Sequence, residues 1–423
     1  MRKIKYIFSF IILIQLQTMA QFESWNVIGE MTNPVSRGQA VVYKDRIYIF
    51  GGYSDVTQNP VNWIQEYNPS TGVWRQVGRM NAEREGFLAS VQDTSILLFG
   101  GVEKNSNLLY SIEEWTPNIP DSTARVISTN ENFDRVYPTG LSFNNDVYIF
   151  GGYPFSNGTQ NLTYFTQYKY SNNTFSNSAN FNYSVSNFPS QQMSAIFTSS
   201  IYIFGGAQFG ILRSIYEYKL TTNQYTKLEI QLNEPRAGGI AIKHQLYKLI
   251  YIIGGFDEGS GSLSSVEIFR PADEGGAALL LEGPELNYKR KNLMAVYYDK
   301  TFYVFGGEDS DGKLVPFVER LDPQVTTVVD EENSVPRSFS LSQNYPNPFN
   351  PTTIISYQVP QNSFVNLKIF DVLGNEIKEL INENKQPGYY EVQFNAGELT
   401  SGVYFYRLSA GNFFETKKMV VVK

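Results

Sequence analysis

The chain has 423 residues, of which 42% are hydrophobic and 15% aromatic, and a formal net charge of −7. That length exceeds one ordinary core and predicts two or three units, and the mixed charge, without a long run of one sign, excludes a nucleic-acid partner, whose phosphates demand clustered Lys and Arg. With no cysteine and a single histidine, His244, the sequence also excludes disulfides, thiolate chemistry and multi-histidine metal sites.

Residues 1–20 are predicted to be a signal peptide. Arg2, Lys3 and Lys5 form the basic end, Tyr6 to Leu16 the apolar stretch, and Thr18-Met19-Ala20 the small-residue cleavage site before Gln21. A membrane anchor fits less well, because the apolar run is short and broken by Gln15 and Gln17. No later segment has the length and apolarity of a bilayer span, so the mature protein is expected outside the cytoplasm without a membrane span.

From there an apolar strand ending in Gly-Gly recurs six times, at Gly51-Gly52, Gly100-Gly101, Gly151-Gly152, Gly205-Gly206, Gly254-Gly255 and Gly306-Gly307. Successive copies lie 49, 51, 54, 49 and 52 positions apart. Around each lies a fixed order of features. An Arg precedes a short apolar strand, as Arg37 precedes Ala40-Val41-Val42-Tyr43. A turn leads into the Gly-Gly strand. A third strand ends in an aromatic with Pro two later, as in Tyr67-Asn68-Pro69 and Trp115-Thr116-Pro117. A fourth carries an aromatic such as Trp74. Four short strands per unit, at a period of about 50, describe a propeller blade.

This pattern resembles the kelch family over roughly residues 22–323. The fold expected is all-β: a six-bladed kelch β-propeller, residues 21–325, followed by a small Ig-like β-sandwich. The sixth unit ends at Leu321-Asp322-Pro323 without a fourth strand, while a spare one stands at the other end. Ser24-Trp25-Asn26-Val27, followed by Met31 and Arg37, parallels Val73-Trp74-Arg75-Gln76, followed by Met80 and Arg84. The N-terminal strand is therefore expected to complete the last blade and remove an open edge. The fourth unit departs from the pattern, with Gln191-Gln192 where Arg is expected.

Residues 326–337 read as a polar linker. Beyond it, strands are expected at residues 353–359, 365–370, 389–394, 403–408 and 418–422, with turns at Leu373-Gly374-Asn375 and Thr400-Ser401-Gly402. The segment 338–423 resembles the type A sorting domain of the type IX secretion system. The resemblance rests on Tyr345-Pro346-Asn347-Pro348, Ile369-Phe370-Asp371-Val372-Leu373-Gly374, Ser401-Gly402-Val403-Tyr404 and the terminal Lys417-Lys418-Met419-Val420-Val421-Val422-Lys423. It implies export to the periplasm, passage across the outer membrane by the type IX machinery, release or surface display, and a source among the Bacteroidetes and their relatives.

The expected binding face is one end of the propeller channel, where the loops after the Gly-Gly strands meet the connections between blades. Arg37, Arg84, Arg135, Arg236 and Arg290 are placed there as a ring of guanidinium groups suited to carboxylates, in an acidic peptide or an acidic sugar. Each has a second reading, in which it hydrogen-bonds carbonyls of the next blade. Tyr53, Tyr153, Phe155, Phe209 and Phe256 are candidate stacking platforms for sugar rings, with covering of the loops as their second reading. Enzymatic readings are thinner. Copper oxidases of the kelch type need a cysteine-linked tyrosine and histidine ligands, which are absent here. A resemblance to sialic acid mutarotases leaves Glu85, Glu234 and Glu285 as acid–base candidates. No cofactor or metal is expected, and Glu308-Asp309-Ser310-Asp311-Gly312 is read as a turn in preference to a Ca²⁺ loop. The expectation is a noncatalytic secreted or surface protein that holds a protein or glycan ligand.

Overall fold

The double-glycine strands are apolar on both faces because both faces are covered. Ile47 to Phe50 of Arg46–Phe50 are all buried, as is every residue of Thr301–Phe305. Strands stacked between neighbouring sheets read as continuous apolar runs, whereas half-buried ones alternate. The computed structural model that shows this describes residues 24–323 and 339–422, apart from 93, 118, 120–121, 130–134, 153–164, 171–173, 177–188, 246, 273–276, 345–346 and 412. The expected signal peptide and linker, Tyr345-Pro346, Tyr153 and Phe155 lie outside the described residues.

The chain divides into two compact units, Phe22–Gln324 and Val325–Lys423. In the first, six sheets among the described residues repeat one antiparallel order. The first sheet runs Gln39–Tyr43, Arg46–Phe50, Trp63–Asn68 and Val73–Arg79. The short strand Ser122–Thr123 joins its outer edge in parallel. The sixth runs Met294–Tyr298, Thr301–Phe305 and Phe317–Leu321, and Asn26–Glu30 takes its outer place. First strands touch in a closed circuit. Gln39–Tyr43 meets Leu88–Val91, and contact passes on through Thr139–Phe143, Met193–Phe197, Ile240–Lys243 and Met294–Tyr298 back to Gln39–Tyr43.

The strand from the N-terminal end is exposed along all five residues, so its own side chains do not hold it. Its flanks do. Trp25 is 2% exposed, packs with Tyr251, Ile253, Leu286 and Phe302, and donates its indole N–H to the Pro284 carbonyl at 2.9 Å. Met31 and Val35, on the other side, are buried against the first and sixth sheets. Removing a buried Trp side chain costs about 3–5 kcal/mol, far more than the strand's exposed residues contribute.

The glycine pairs mark where sheets close on the connections. Gly306 has φ 53°, and a Cβ there would collide with the Val35 carbonyl oxygen, so only glycine lets the two backbones approach. Among the described residues no helix is long and apolar enough to cross a membrane.

The second unit packs a three-stranded sheet, Ser340–Leu341, Thr352–Val359 and Gly388–Asn395, with a four-stranded one. The latter runs Glu376–Lys385, Ser363–Phe370, Gly402–Ala410 and Phe413–Val421. Ile355, Leu367, Tyr406, Leu408 and Met419 are fully buried in its core. The strand Glu376–Lys385 was not foreseen, because it is polar and mostly exposed and shows no alternation. The last strand begins well before the expected residue 418, at Phe413. Two distant motifs meet at its end: the Phe349 N–H donates to the Val420 carbonyl at 3.0 Å, and the Val422 N–H to the Phe349 carbonyl at 3.0 Å. Asn347 Oδ1 accepts the Val420 N–H at 2.7 Å. The proline-rich segment thus covers the edge of the final strand.

Candidate functional site

The arginines fall into two groups, and the first corrects the expected guanidinium ring. Arg84, Arg236 and Arg290 are fully buried and Arg135 is 4% exposed. Each points into the sheet it leads into. Nη1 donates to the carbonyl of the first glycine of the pair, at 2.8 Å for Arg84, 3.1 Å for Arg135, 3.0 Å for Arg236 and 2.9 Å for Arg290. Nη2 meets an acceptor on the third strand: Glu113 for Arg84, Thr166 for Arg135 at 3.2 Å, Glu267 for Arg236 at 2.8 Å and Glu319 for Arg290 at 2.6 Å.

The acceptors occupy one register position. Glu113 stands opposite Leu98, Thr166 opposite Ile149, Glu267 opposite Ile252 and Glu319 opposite Val304, the residue before the final Phe or Ile in each case. The same carboxylates take backbone N–H groups of the connection, as Glu113 does from Asn81 at 2.7 Å and Ala82 at 3.2 Å. A buried charge needs such full pairing. Two sheets lack the pair on both sides at once. The first has Val35 with Gln65, and the fourth has Pro189 with Tyr216. In the fourth, Gln192 Nε2 takes over the glycine carbonyl, donating to Gly205 at 3.2 Å.

Arg37 belongs to the second group. It stands two residues beyond the register of the buried arginines, at a position shared with Gly86, Tyr137, Gln191, Gly238 and Asn292. All six are left-handed, with φ between 53 and 61°. Their backbones form a closed ring of hydrogen bonds of 2.6 to 3.0 Å: Gly86 N–H to Arg37, Tyr137 to Gly86, Gln191 to Tyr137, Gly238 to Gln191, Asn292 to Gly238 and Arg37 to Asn292. One residue comes from each connection. At Gly86 a Cβ would meet the Tyr137 ring at 2.8 Å, so glycine leaves room for that phenol to lie across it.

Side chains from the ring join into a polar floor. Arg37 Nη1 donates to Glu85 at 3.3 Å and Nη2 to Glu308 at 3.2 Å. Tyr137 donates its hydroxyl to Glu85 at 3.3 Å, and Asn292 Nδ2 to Glu308 at 2.9 Å. Gln191 Nε2 reaches Asn292 Oδ1 at 3.3 Å. Burial pushes the Glu85 carboxyl above the usual range, and Arg37 offsets this only in part. Burial also opposes the Arg37 charge, but Tyr137, Glu85 and Glu308 outweigh it and hold the guanidinium firmly protonated. The Tyr137 phenol is raised by burial and by Glu85. Two carboxylates therefore face one guanidinium, whose side chain is 28% exposed.

The remaining candidates are scattered around this floor. Tyr53 is half-buried with the Arg37 guanidinium 5.4 Å from its ring centroid, and half-buried Phe256 carries the Lys291 ammonium at 5.8 Å. Phe209 is 85% exposed on its loop. Glu85 is the acid–base candidate that reaches the floor. Glu234 pairs with Arg236 and Ser265, and Glu285 accepts from Ser264 at an exposed place. Tyr137, Gln191, Asn292 and Glu308 were missed. The signal for the first three is their common offset two residues after the buried-arginine position.

Comparison with known proteins identifies both parts of the chain. The family model described as the KLHDC2/KLHL20/DRC7 Kelch-repeats domain matches residues 37–255, half of the chain. The Secretion system C-terminal sorting domain matches residues 343–422. Kelch repeat protein M-T8 of Myxoma virus is 30% identical over 92 residues, 22% of this chain and 18% of that protein. Beta-scruin of Limulus polyphemus is 27% identical over 111 residues, 24% of this chain and 12% of that protein. Kelch-like protein terF of Aspergillus terreus is 24% identical over 264 residues, 55% of this chain and 53% of that protein. The chain thus spans about half the length of these relatives at most. The sorting domain places the protein with those handled by the type IX secretion system and so among secreted or cell-surface proteins. With its repeats matched over half its length, the chain belongs to the kelch-repeat family.

Proposed function

We propose that the protein is a noncatalytic secreted or surface-displayed binding protein, closed as a six-bladed propeller, which holds a protein or glycan ligand over the floor of its channel mouth. The observation that carries this reading is the ring at Arg37, Gly86, Tyr137, Gln191, Gly238 and Asn292. Four non-glycine residues are kept there in a left-handed conformation that costs about 1–3 kcal/mol each. Their side chains meet at the centre of the mouth instead of burying themselves between sheets. Strain concentrated in a polar, partly exposed cluster is a mark of a binding position.

Binding of the full chain to glycan and peptide arrays tests the reading. Retention of a probe without its conversion is the expected result. Failure to retain any probe leaves a structural surface protein. Conversion of a bound sugar supports the second reading, an enzyme of the sialic acid mutarotase-like type. That reading is favoured by the raised Glu85 carboxyl beside the Tyr137 hydroxyl, a pair suited to proton transfer. Loss of turnover in Glu85→Gln would then identify the proton carrier.

A further inference from the structure

Four of the five repeat arginines are withdrawn from the mouth, and the fifth arrives with its charge already matched. Arg37 donates Nη1 to both oxygens of Glu85, at 3.3 and 3.4 Å, and Nη2 to both oxygens of Glu308, at 3.2 Å each. Tyr53 lies across one face of the guanidinium. Side chains of Glu85 and Glu308 are only 12% and 5% exposed. A ligand carboxylate that took over either Nη group of Arg37 would displace one of them. The displaced group would remain in a largely buried place without its cation, which is among the most costly arrangements a protein can hold.

We infer that the mouth selects a neutral, hydroxyl-rich ligand, a sugar ring, and rejects carboxylates; this rests on the binding role proposed above. What the floor offers to such a ligand is of mixed polarity. Glu85 and Glu308 have lone pairs for hydroxyl donors, and the Gln191 and Asn292 carboxamides both donate and accept. Hydroxyl groups also do both, so a sugar adds bonds to this network without breaking an ion pair. The nearby ammonium of Lys291 is turned onto the Phe256 ring, while its backbone pairs with that of Glu308. The two half-buried rings, Tyr53 and Phe256, border the floor and suit the apolar face of a sugar.

The test compares neutral glycans, sialylated or uronate-bearing glycans and Glu-rich peptides as immobilised probes for the full chain. Neutral glycans are expected to bind at least about tenfold more tightly than either carboxylated class. A preference of the wild-type protein for carboxylated probes overturns the inference and leaves the binding role standing. Binding of no probe at all overturns both. The double variant Glu85→Gln, Glu308→Gln adds a gain-of-function arm. Releasing Arg37 should raise affinity for carboxylated probes about tenfold or more, and folded variant protein that shows no such gain counts against the inference.

Discussion

Arg290 and Arg37 both meet carboxylates, and their surroundings make opposite uses of the same chemistry. Arg290 is fully buried, with Glu319 on Nη2 and two carbonyls, Gly306 and Phe317, on Nη1. It links a connection to the second and third strands of one sheet. Arg37 reaches across sheets, to Glu85 of the second connection and Glu308 beyond the sixth glycine pair, and keeps part of its side chain in solvent. A shift of two residues along the connection separates them. Register within the repeat, and not residue type, decides whether an arginine braces its own sheet or reaches across sheets to the ring.

The sharpest way to break this contrast is to remove one partner on each side of it. Glu319→Ala leaves Arg290 buried without its anion and is expected to destabilise the first unit by about 3–5 kcal/mol in chemical unfolding. A loss below about 1 kcal/mol would mean that the buried pairs are not braces. Arg37→Ala is expected to cost less, about 1–3 kcal/mol in the same measurement, because Arg37 is itself 28% exposed and the raised Glu85 carboxyl can take up a proton. A loss as large as that of Glu319→Ala would erase the distinction.

Between them lies a buried base whose shift has burial as its cause. His244 is 1% exposed beside Tyr247, Tyr251, Tyr297 and Phe302, and burial pushes it down to about 4. The unfolded chain binds this proton at about 6.5, so between pH 6.5 and 4 the unfolded state holds more protons. The stabilisation is complete above that window and is lost as pH falls through it, by about 3 kcal/mol in total. Comparing wild type with His244→Phe across this range isolates the effect. Parallel pH profiles would show that the histidine titrates normally in the fold.

Much of the architecture was legible because the propeller repeats its errors and its rules alike. Six Gly-Gly strands announce themselves through continuous apolar runs, and the glycines through backbone approaches that no side chain permits. The mouth was harder to read. Arg37 was grouped with Arg84 by its neighbours, although the distance to the glycine pair separates them: Arg84, Arg135 and Arg290 stand 16 residues before the glycine they bind, and Arg37 stands two residues closer to Gly51. Glu113, Glu267 and Glu319 were masked by other charged residues in the same strands, Glu114, Arg270 and Arg320. The floor itself was not legible, since the Tyr137 phenol has no chemistry in common with the Gln191 and Asn292 carboxamides and the three share only a backbone conformation. In the second unit the strand Glu376–Lys385 escaped notice because neither of its faces is buried enough to impose a period.

The exposed strand at the start of the first unit has a consequence for how the molecule comes into being. Asn26 lies opposite Arg320, nearly the whole unit away along the chain. During synthesis the first described strand of this unit is therefore the last to find its partner, and it waits unpaired until the sixth sheet has emerged. A chain interrupted anywhere before Phe317–Leu321 leaves Asn26–Glu30 without its partner strand and Trp25 without its pocket. The closing seam thus acts as a proof of length: only a polypeptide read through to its sixth repeat can pair Asn26–Glu30 and bury Trp25.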